Sequence, residues 1–415
     1  MKKDKILIRG GRIIDPSIGK DKVADLYIAD GIIQSNIPHD PSGVRIIDAG
    51  GKIVAPGLID MHVHLRDPGL THKEDITSGL IAASKGGFST VVTMANTIPV
   101  TDRASIIDEQ IHKACRRELG RLYPVSSVTL GMEGKRLVDI ESNINAGAVA
   151  FSEDGKSVEN PELLKEFMIR MKQRGCLPRP ILDHCDADKK DEKNSEAYYA
   201  ARDIKLAAQT GARLHIQHVS TKDTVDIIRE AKRDKRLRML ITAEAAPHHF
   251  TLTEEDIKVW GTNAKMSPPL RTAEDRDAII RGLQDGTIDA IATDHAPHAE
   301  HEKAAEFANA PNGIIGLETA VGLAFTELVH TNKMSESDLI KTLTTNPARI
   351  LNLDTIGLGT LFADLTIIDP NKEWTVNSAD FASKSKNMPY EGKKLKGAVT
   401  HTICRGRLIF DATEK

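Results

Sequence analysis

Residues 5–55 alternate between apolar and polar positions in short runs. The runs KILIRGGRIID, ADLYIADGIIQSNI and VRIIDAGGKIVAPG are interrupted by GG or DG pairs. A period of two places successive side chains on opposite faces of a strand, and such pairs favour tight turns between strands. The pattern predicts β-hairpins, and we expect residues 1–52 to form part of a small β domain.

From residue 53 the pattern changes to apolar runs followed by amphipathic stretches of helical period, for example FSTVVTMAN and then ASIIDEQIHKACRREL. Two strands are predicted at the start of this region, and six more lie near residues 122–128, 147–152, 179–184, 213–218, 238–244 and 288–293. Eight parallel strands that alternate with helices close into a barrel. We therefore predict an α/β fold with a (β/α)8 TIM barrel over residues 53–355.

After residue 358 the sequence returns to strand-like runs, FADLTIID, EWTV and AVTHTICRGRLIF, without a comparable amphipathic helix. These runs resemble the N-terminal ones in period and length. We predict that residues 1–52 and 356–415 pair into one composite β-sandwich domain beside the barrel.

Composition narrows the range of partners. The 56 basic and 59 acidic side chains give a net charge of -3, which provides no broad basic surface for nucleic acid or an anionic membrane.

The N-terminus lacks the apolar core of a signal peptide, and no run reaches the about 18 apolar residues of a membrane span. The four cysteines, Cys115, Cys176, Cys185 and Cys404, have no CxxC spacing. We expect a cytoplasmic protein with reduced, mostly buried thiols.

The motif GLIDMHVHLRD at 57–67 carries the first candidate chemistry. His62 and His64 alternate at the end of an apolar strand, so both side chains point to the same face. Two imidazoles placed in this way can share a metal ion. Two buried, hydrogen-bonded histidines are the alternative interpretation of this motif alone.

Three later strands also end in residues that can bind a metal. ILDHCD ends in His184, LHIQHVS in His218 and DAIATDHAPH in Asp294. Barrel active sites are built from the carboxyl ends of the strands, whereas a packing role predicts mainly apolar residues there. This coincidence favours a metal site over buried structural histidines.

The strand AGAVAFSEDG adds Glu153 and Asp154, and one of these carboxylates could bridge two ions. Two ions can hold a hydroxide between them and polarise a carbonyl, so no serine or cysteine nucleophile is needed. Cys185 is accordingly predicted to be structural. If the bond hydrolysed is an amide, its leaving nitrogen needs a proton, and Asp294 is the natural carrier.

Side chains next to these ligands could bind an anionic substrate. Arg66 offers a bidentate fork for a carboxylate, and Asn96 and His298 lie at or beyond strand ends, where they can donate hydrogen bonds. A surface salt bridge is the alternative for Arg66. Five further histidines of the predicted barrel region are predicted to be structural or peripheral: His72, His215, His248, His249 and His295.

Taken together, these stretches resemble the amidohydrolase superfamily, and within it the type I dihydroorotases. The resemblance covers nearly the whole chain through PGLIDMHVHLRDPG, TVVTMANTIP, AFSEDG, LHIQHVSTK, TAEAAPHHF, DGTIDAIATDHAPH, NGIIGLETA, TTNPARIL and KGAVTHTICRGRLIF. It implies reversible hydrolysis of dihydroorotate to N-carbamoylaspartate in pyrimidine synthesis, with two zinc ions per chain. It also suggests two binding partners, a second copy of the chain and an aspartate transcarbamoylase.

Carried over by position, the resemblance assigns a role to each candidate. His62 and His64 would bind the first metal, His184 and His218 the second, and Asp154 would bridge both. Asp294 would be a first-metal ligand and the acid-base group. Arg66, Asn96 and His298 would bind the substrate, together with Ser267, which stands in KMSPPLR where such enzymes usually carry asparagine. Because serine is shorter, we expect the direct contact with the substrate to become water-mediated or to be lost.

Two rival functions follow from the same motifs. Hydantoinases, dihydropyrimidinases and allantoinases share the barrel but generally bridge their metals with a carbamylated lysine, where this chain carries Glu153 and Asp154. A catalytically silent scaffold for a transcarbamoylase is the second rival. Scaffolds of this kind usually lose metal ligands, whereas all six are present here.

Overall fold

The strand-like runs at the two chain ends pair with each other in the computed structural model, which describes residues 4–38, 42–173, 179–185, 192–354, 357–358 and 362–414. Eight strands form this sheet: β1 Ile6–Asp15, β2 Lys20–Ala29, β3 Ile32–Gln34, β4 Arg45–Asp48, β5 Ile53–Pro56, β14 Leu365–Thr375, β15 Lys394–Cys404 and β16 Arg407–Asp411. Their order is β16-β15-β14-β5-β1-β2-β3, with β4 beside β1. The prediction that both ends contribute to one β domain is confirmed.

The sheet forks at β1. Residues Ile6 to Arg9 pair with β4, and Arg12 and Ile13 pair with β5, with a change of register against β2 between Ile8 and Gly11. A Cβ atom at Gly11 would lie 2.4 Å from Cγ2 of Val54, so the fork requires glycine at this close approach. All eight strands therefore belong to one continuous sheet.

The predicted domain division at 52/53 and 355/356 stays a prediction. Strand β5 pairs with β1 and β14, so the composite sheet extends to Pro56. Residue 356 lies outside the described residues. Leu58, two residues after β5 ends, begins the first strand of the second sheet.

That second sheet contains the predicted barrel strands: β6 Leu58–Val63, β7 Phe88–Thr93, β8 Arg121–Ser126, β9 Ala150–Phe151, β10 Ile181–Asp183, β11 Leu214–Ile216, β12 Ile241–Ala245 and β13 Ala290–Ile291. Each strand pairs in parallel with the next in sequence order. Val63 and His295 form a parallel bridge, and the His64 amide donates to the His295 carbonyl at 2.8 Å. This contact brings the first and last strands together, and the predicted TIM barrel is confirmed.

Helices lie between the barrel strands or follow the last of them: α1 Ile76–Lys85, α2 Ala104–Arg117, α3 Ile140–Asn145, α4 Pro161–Gln173, α5 Glu192–Thr210, α6 Lys222–Ala231, α7 Lys235–Arg238, α8 Pro247–Thr251, α9 Ile257–Trp260, α10 Ala273–Asp285, α11 Glu300–Lys303, α12 Ala320–Ala324, α13 Glu336–Leu343 and α14 Thr345–Leu351. Helix α6 shows how sequence sets their position. The Thr221 hydroxyl accepts from the Thr224 amide as N-cap, and Val225 and Ile228 are buried.

The largest hydrophobic cluster joins the barrel strands to these helices. It includes Ile216 of β11, Val225 of α6 and Ile279 of α10, all nearly inaccessible to solvent. Burial of each such side chain contributes about 1.5–3 kcal/mol. The cluster packs these helices against the barrel strands and so holds the strand ends in place.

Candidate metal centre and active site

The carboxyl ends of five barrel strands bring six polar residues into one buried cluster. His62 is on β6 and His64 follows it, Asp154 comes three residues after β9, and His184 follows β10 directly. His218 follows β11, and Asp294 follows β13. All six side chains are buried. The structure thus brings together all six residues that the sequence nominated as metal ligands.

One half of the cluster surrounds the Asp294 carboxylate. Its Oδ1 lies 3.1 Å from Nε2 of His64 and 3.5 Å from Nε2 of His62. The Asp154 carboxylate approaches the same two imidazoles, 3.2 Å from His62 and 3.3 Å from His64. Two nitrogens and two carboxylates therefore converge on a common point.

The other half contains His184 and His218. Nδ1 of His184 lies 2.8 Å from Nε2 of His218, and these atoms lie 3.6 and 3.8 Å from Oδ1 of Asp154. Asp154 is therefore the residue that contacts both halves. This is the arrangement expected of a ligand that bridges two ions.

The hydrogen bonds of His62 and His64 test whether this cluster suits a metal. Nδ1 of His62 lies 2.7 Å from Glu244 Oε1, and Nδ1 of His64 lies 2.9 Å from Asn96 Oδ1. Each Nδ1 can only donate to such an oxygen, so in a neutral ring Nε2 carries a lone pair. Both lone pairs then face carboxylate oxygens, which requires positive charge between them, either protons or a metal ion.

Unsatisfied polar atoms and charge agree with a cation at this position. His62 Nε2 and Asp154 Oδ1 are buried without a hydrogen-bond partner among the described residues. Burial alone would lower the pKa of His62, but the carboxylates of Asp154, Glu244 and Asp294 outweigh it and raise that pKa well above its usual range. Imidazole and carboxylate ligands around one buried point fit zinc.

Left-handed backbone marks three of the site residues. Arg66, His218 and Asp294 have φ angles of 58°, 28° and 50°. Such conformations cost residues other than glycine about 1–3 kcal/mol and persist only where the surrounding structure imposes them. The barrel therefore holds these residues in backbone geometry that a loop of ordinary conformation would not provide.

Glu153 and Asp154, which the strand pattern alone left as alternatives, have different surroundings. Glu153 Oε1 accepts hydrogen bonds from the Thr129 amide at 2.7 Å and its hydroxyl at 3.0 Å. Burial raises the pKa of Glu153, with the Thr129 contacts opposing it. Glu153 thus holds the loop at Thr129 in place, and of this pair it is Asp154 that contacts the histidines.

Glu244 is a central residue that the sequence analysis did not identify. Besides His62, it contacts His215, whose Nε2 lies 3.1 Å from Glu244 Oε2. The Glu244 pKa is lowered although burial opposes this, because the imidazoles of His62 and His215 favour its charged form. The sequence signal that could have identified Glu244 is its carboxylate inside the otherwise apolar run ITAEA of β12. His215, predicted to be structural, supports this carboxylate.

Asn96 also lies within the cluster. Its Oδ1 faces His64, and its Nδ2 donates to Asp154 Oδ2 at 3.1 Å and to the Asp154 carbonyl at 3.3 Å. In this structure the side chain therefore orients two predicted metal ligands. Its predicted role in substrate binding stays a prediction.

A basic group lies beside the cluster. Arg66 Nε donates to the Pro297 carbonyl at 3.2 Å, and an Arg66 terminal nitrogen lies 3.3 Å from Nε2 of His298. Lys73, absent from the sequence-based candidates, lies 3.4 Å from Nδ1 of His298 and 2.7 Å from Glu302 Oε1. Positive charge is thus concentrated where the sequence predicted recognition of an anion.

His298 is held between several partners. Its Nε2 lies 2.8 Å from the Asn312 carbonyl, and its amide donates to Asn387 Oδ1 at 3.1 Å. Burial, reinforced by the charges of Arg66 and Lys73, lowers the pKa of His298 to about 3. The imidazole is therefore neutral at physiological pH.

The remaining candidates differ in their surroundings. Ser267 is half-buried and precedes Pro268, whose carbonyl lies 3.1 Å from Nε2 of His249. His248 is buried, and its Nε2 has no hydrogen-bond partner among the described residues.

Cys185 Sγ lies 3.1 Å from Asp183 Oδ2, and burial together with Asp183 raises the thiol pKa well above its usual range. Such a thiol is not an activated nucleophile. Cys176 lies outside the described residues.

A model of the amidohydrolase family matches residues 53–409 of this chain, a range that contains the whole cluster. The chain belongs to this family. The assignment agrees with metal-ligating residues at the ends of barrel strands and confirms the resemblance that the motifs predicted.

Curated relatives within the family are dihydroorotases. The chain is 45% identical to the dihydroorotase of Clostridioides difficile (strain 630) over 434 aligned positions, which cover 98% of this chain and 100% of that protein. It is 43% identical to the dihydroorotase of Pelotomaculum thermopropionicum, with 98% of each chain covered. The similarity thus extends over the barrel and the composite sheet.

Solved structures with the same fold include hydantoinases. The L-hydantoinase (dihydropyrimidinase) of Arthrobacter aurescens superposes with a TM-score of 0.86 at 25% identity, covering 99% of this chain and 96% of that one. The dihydropyrimidinase of Brevibacillus agri superposes with a TM-score of 0.85 at 22% identity, covering 98% and 95%. At this identity the second comparison shows the shared fold alone.

Proposed function

We propose that this protein is a dihydroorotase that interconverts (S)-dihydroorotate and N-carbamoyl-L-aspartate in de novo pyrimidine synthesis. The observation that carries the proposal is the buried cluster of four imidazoles and two carboxylates beside Arg66. Its setting in a chain 45% identical to a curated dihydroorotase supports the choice of substrate. The cluster suits amide hydrolysis, and the neighbouring arginine suits a substrate that carries a carboxylate.

The proposal includes two zinc ions per chain. His62, His64 and Asp294 would hold one ion, His184 and His218 the other, and Asp154 would contact both. Zinc, when bound, would polarise the amide carbonyl and make water a better nucleophile at neutral pH. Glu244 and Asn96 would keep His62 and His64 in the tautomer that presents Nε2.

Asp294 would carry the proton. Hydrolysis joins the oxygen of water to the amide carbon and breaks the bond between that carbon and the ring nitrogen. The water must lose a proton and the nitrogen must gain one, and a single carboxylate can make both transfers. Burial would raise the pKa of Asp294, but the imidazoles of His62 and His64 outweigh it and lower that pKa, so the carboxylate is ionised at neutral pH.

Arg66 would bind the substrate carboxylate through its guanidinium fork. Burial lowers the pKa of Arg66, opposed by the carboxylates of Asp294 and Asp154, but arginine remains charged in proteins. Asn96 and His298 would complete recognition of the substrate. A hydrogen bond from His298 Nε2 would share or replace its present contact with the Asn312 carbonyl.

Two alternatives define the controls. A hydantoinase-like or allantoinase-like amidase fits the same fold but needs no carboxylate at Arg66, and the hydantoinase structures keep this alternative open. A silent scaffold for a transcarbamoylase would require neither metal nor turnover. Asp154, rather than a lysine, contacts the histidines here, which favours the dihydroorotase.

Location and assembly are further parts of the proposal. Among the described residues, the helices include none that is long and apolar enough to cross a bilayer. We propose a cytoplasmic enzyme, a homodimer, and association with an aspartate transcarbamoylase. Light scattering of the purified chain, alone and mixed with the transcarbamoylase, measures both assemblies directly.

The deciding experiment measures metal content and turnover on one sample. Elemental analysis should find about two zinc ions per chain, and the same sample should hydrolyse dihydroorotate and cyclise N-carbamoylaspartate but leave dihydrouracil intact. Metal with turnover of dihydrouracil or hydantoin instead would favour the other amidases. Absence of metal and turnover after zinc reconstitution would favour the scaffold.

A further inference from the structure

Two of the predicted substrate contacts lie on separate segments beyond the barrel strands. His298 begins a loop that contains α11 and returns at Gly313, and Ser267 lies in the segment 261–270 that precedes α10. A Cβ atom at Gly313 would lie 3.1 Å from Cδ2 of His298, so the end of the loop packs closely against its start. The position of each contact therefore depends on how these two segments are held.

Lys303 of the loop is buried against the other segment. Its Nζ donates to the carbonyls of Lys265 at 3.2 Å, Pro311 at 3.0 Å and Gly313 at 3.0 Å. An ammonium has three N–H donors, and three backbone carbonyls accept here. Burial, with the nearby charge of Lys265, lowers the Lys303 pKa to about 8, which shows that placing charge here is unfavourable. An apolar side chain would fill the space without that cost.

Lys265 of the other segment reaches back in the opposite direction. Its Nζ donates to the carbonyls of Phe307 at 2.5 Å, Ala308 at 3.2 Å and Ala310 at 2.6 Å, and lies 5.2 Å from the centre of the Phe307 ring. The Gly313 amide donates to the Lys265 carbonyl at 2.9 Å. Lys265 thus binds three carbonyls of the loop that carries Lys303, whereas Lys303 binds one carbonyl of the segment that carries Lys265 and two of its own loop.

We propose that Lys265 and Lys303 form a reciprocal clasp whose function is to position His298 and Ser267 together for substrate binding. The inference rests on the proposed function for its substrate. Backbone carbonyls in an irregular loop lack the regular N–H partners of a helix or a strand. The six hydrogen bonds that the two lysines donate to backbone carbonyls therefore favour one conformation of the loop. Lys265 and Lys303 are positioning residues, because they contact backbone and not the cluster of metal ligands.

The test replaces each lysine by methionine, which keeps the aliphatic length and removes the donors. Lys258→Met is the matched control, because Lys258 is an exposed lysine of α9 whose ion-pair partner among the described residues is Glu255, three positions earlier. For Lys303→Met and Lys265→Met in the zinc-loaded enzyme, we expect KM for dihydroorotate to rise about tenfold while kcat stays within about threefold. The zinc content should equal that of the unaltered protein.

Amide hydrogen exchange provides a readout that does not depend on turnover. Amides of residues 299–313 should exchange about tenfold faster in both methionine variants, and the control should match the unaltered protein. Lys265→Arg retains donors and should restore slow exchange and low KM. If Lys303→Met does not fold, the half-exposed Lys265 carries the same comparison.

Unchanged exchange and unchanged KM in both variants would overturn the clasp. A parallel fall of kcat and zinc content would also overturn it, since that pattern indicates general damage to the site. If the unaltered protein does not turn over dihydroorotate, the proposed function fails by itself. Exchange then decides alone, with faster loop exchange in both variants supporting the clasp and unchanged exchange refuting it.

Discussion

Glu244 Oε1 lies 2.7 Å from Nδ1 of His62, and the two residues come from strands on different parts of the barrel wall, β12 and β6. A charged carboxylate at this position makes Nδ1 the donor and leaves Nε2 free to face Asp154 and Asp294. It also increases the basicity of the imidazole as a ligand. The orientation of a predicted metal ligand is thus set by a residue two strands away around the barrel.

Glu244→Gln should weaken zinc binding about 10–100-fold, because a neutral amide no longer favours the required tautomer. Competition with a chromophoric chelator measures this affinity. Glu153→Gln is the matched control, since Glu153 is also buried but hydrogen-bonds Thr129. Equal losses in both variants, or no loss in Glu244→Gln, would contradict the role of Glu244.

The sequence predicts much of this fold because its periodicities are strong. Eight apolar strands alternate with amphipathic helices, and the two chain ends share a period of two. The alternation of His62 and His64 predicted a common face, and both meet Asp294 in the structure. Patterns along the chain were sufficient where geometry is local or repeats from strand to strand.

Contacts between distant segments were beyond the sequence. Glu244 resembles any strand carboxylate until His62 is seen 182 positions away. Lys73 belongs to the site only because its loop reaches His298, 225 positions later. Glu153 and Asp154 differ by the hydrogen bonds of Thr129, which no period specifies. The supporting residues of the site therefore required the structure.

Asp294→Asn should keep the fold and much of the zinc but lose most turnover. The amide has the same shape and retains an oxygen ligand, but it cannot accept and return a proton. Loss of a general acid-base group lowers kcat about 10²–10⁴-fold. Steady-state kinetics with zinc analysis on the same samples measures both effects, and Asp285→Asn on the exposed end of α10 is the control. Near-normal kcat would refute the proton-carrier role.

Arg66→Met should raise KM for dihydroorotate about 100-fold, because the substrate carboxylate loses a bidentate partner. Arg66→Lys retains charge without the planar fork and should recover only part of the affinity. Arg233→Met, at a highly exposed position, should match the unaltered enzyme. If Arg66→Met instead leaves KM unchanged, the carboxylate binds elsewhere in the site.

His298 should make the folded protein less stable in mild acid. Its folded pKa of about 3 lies below the ordinary value of 6.5, so between these values the unfolded chain binds more protons. Stability contributed by neutral His298 is present above pH 6.5 and falls as the pH falls, by about 2 kcal/mol between pH 7 and pH 5.

His298→Gln should therefore lose less unfolding free energy over this interval. Urea unfolding of chelator-treated samples at both pH values measures the difference without interference from metal release. His112→Gln, at an exposed position on α2, serves as the control, and equal pH dependence in all three proteins would refute burial of a neutral His298.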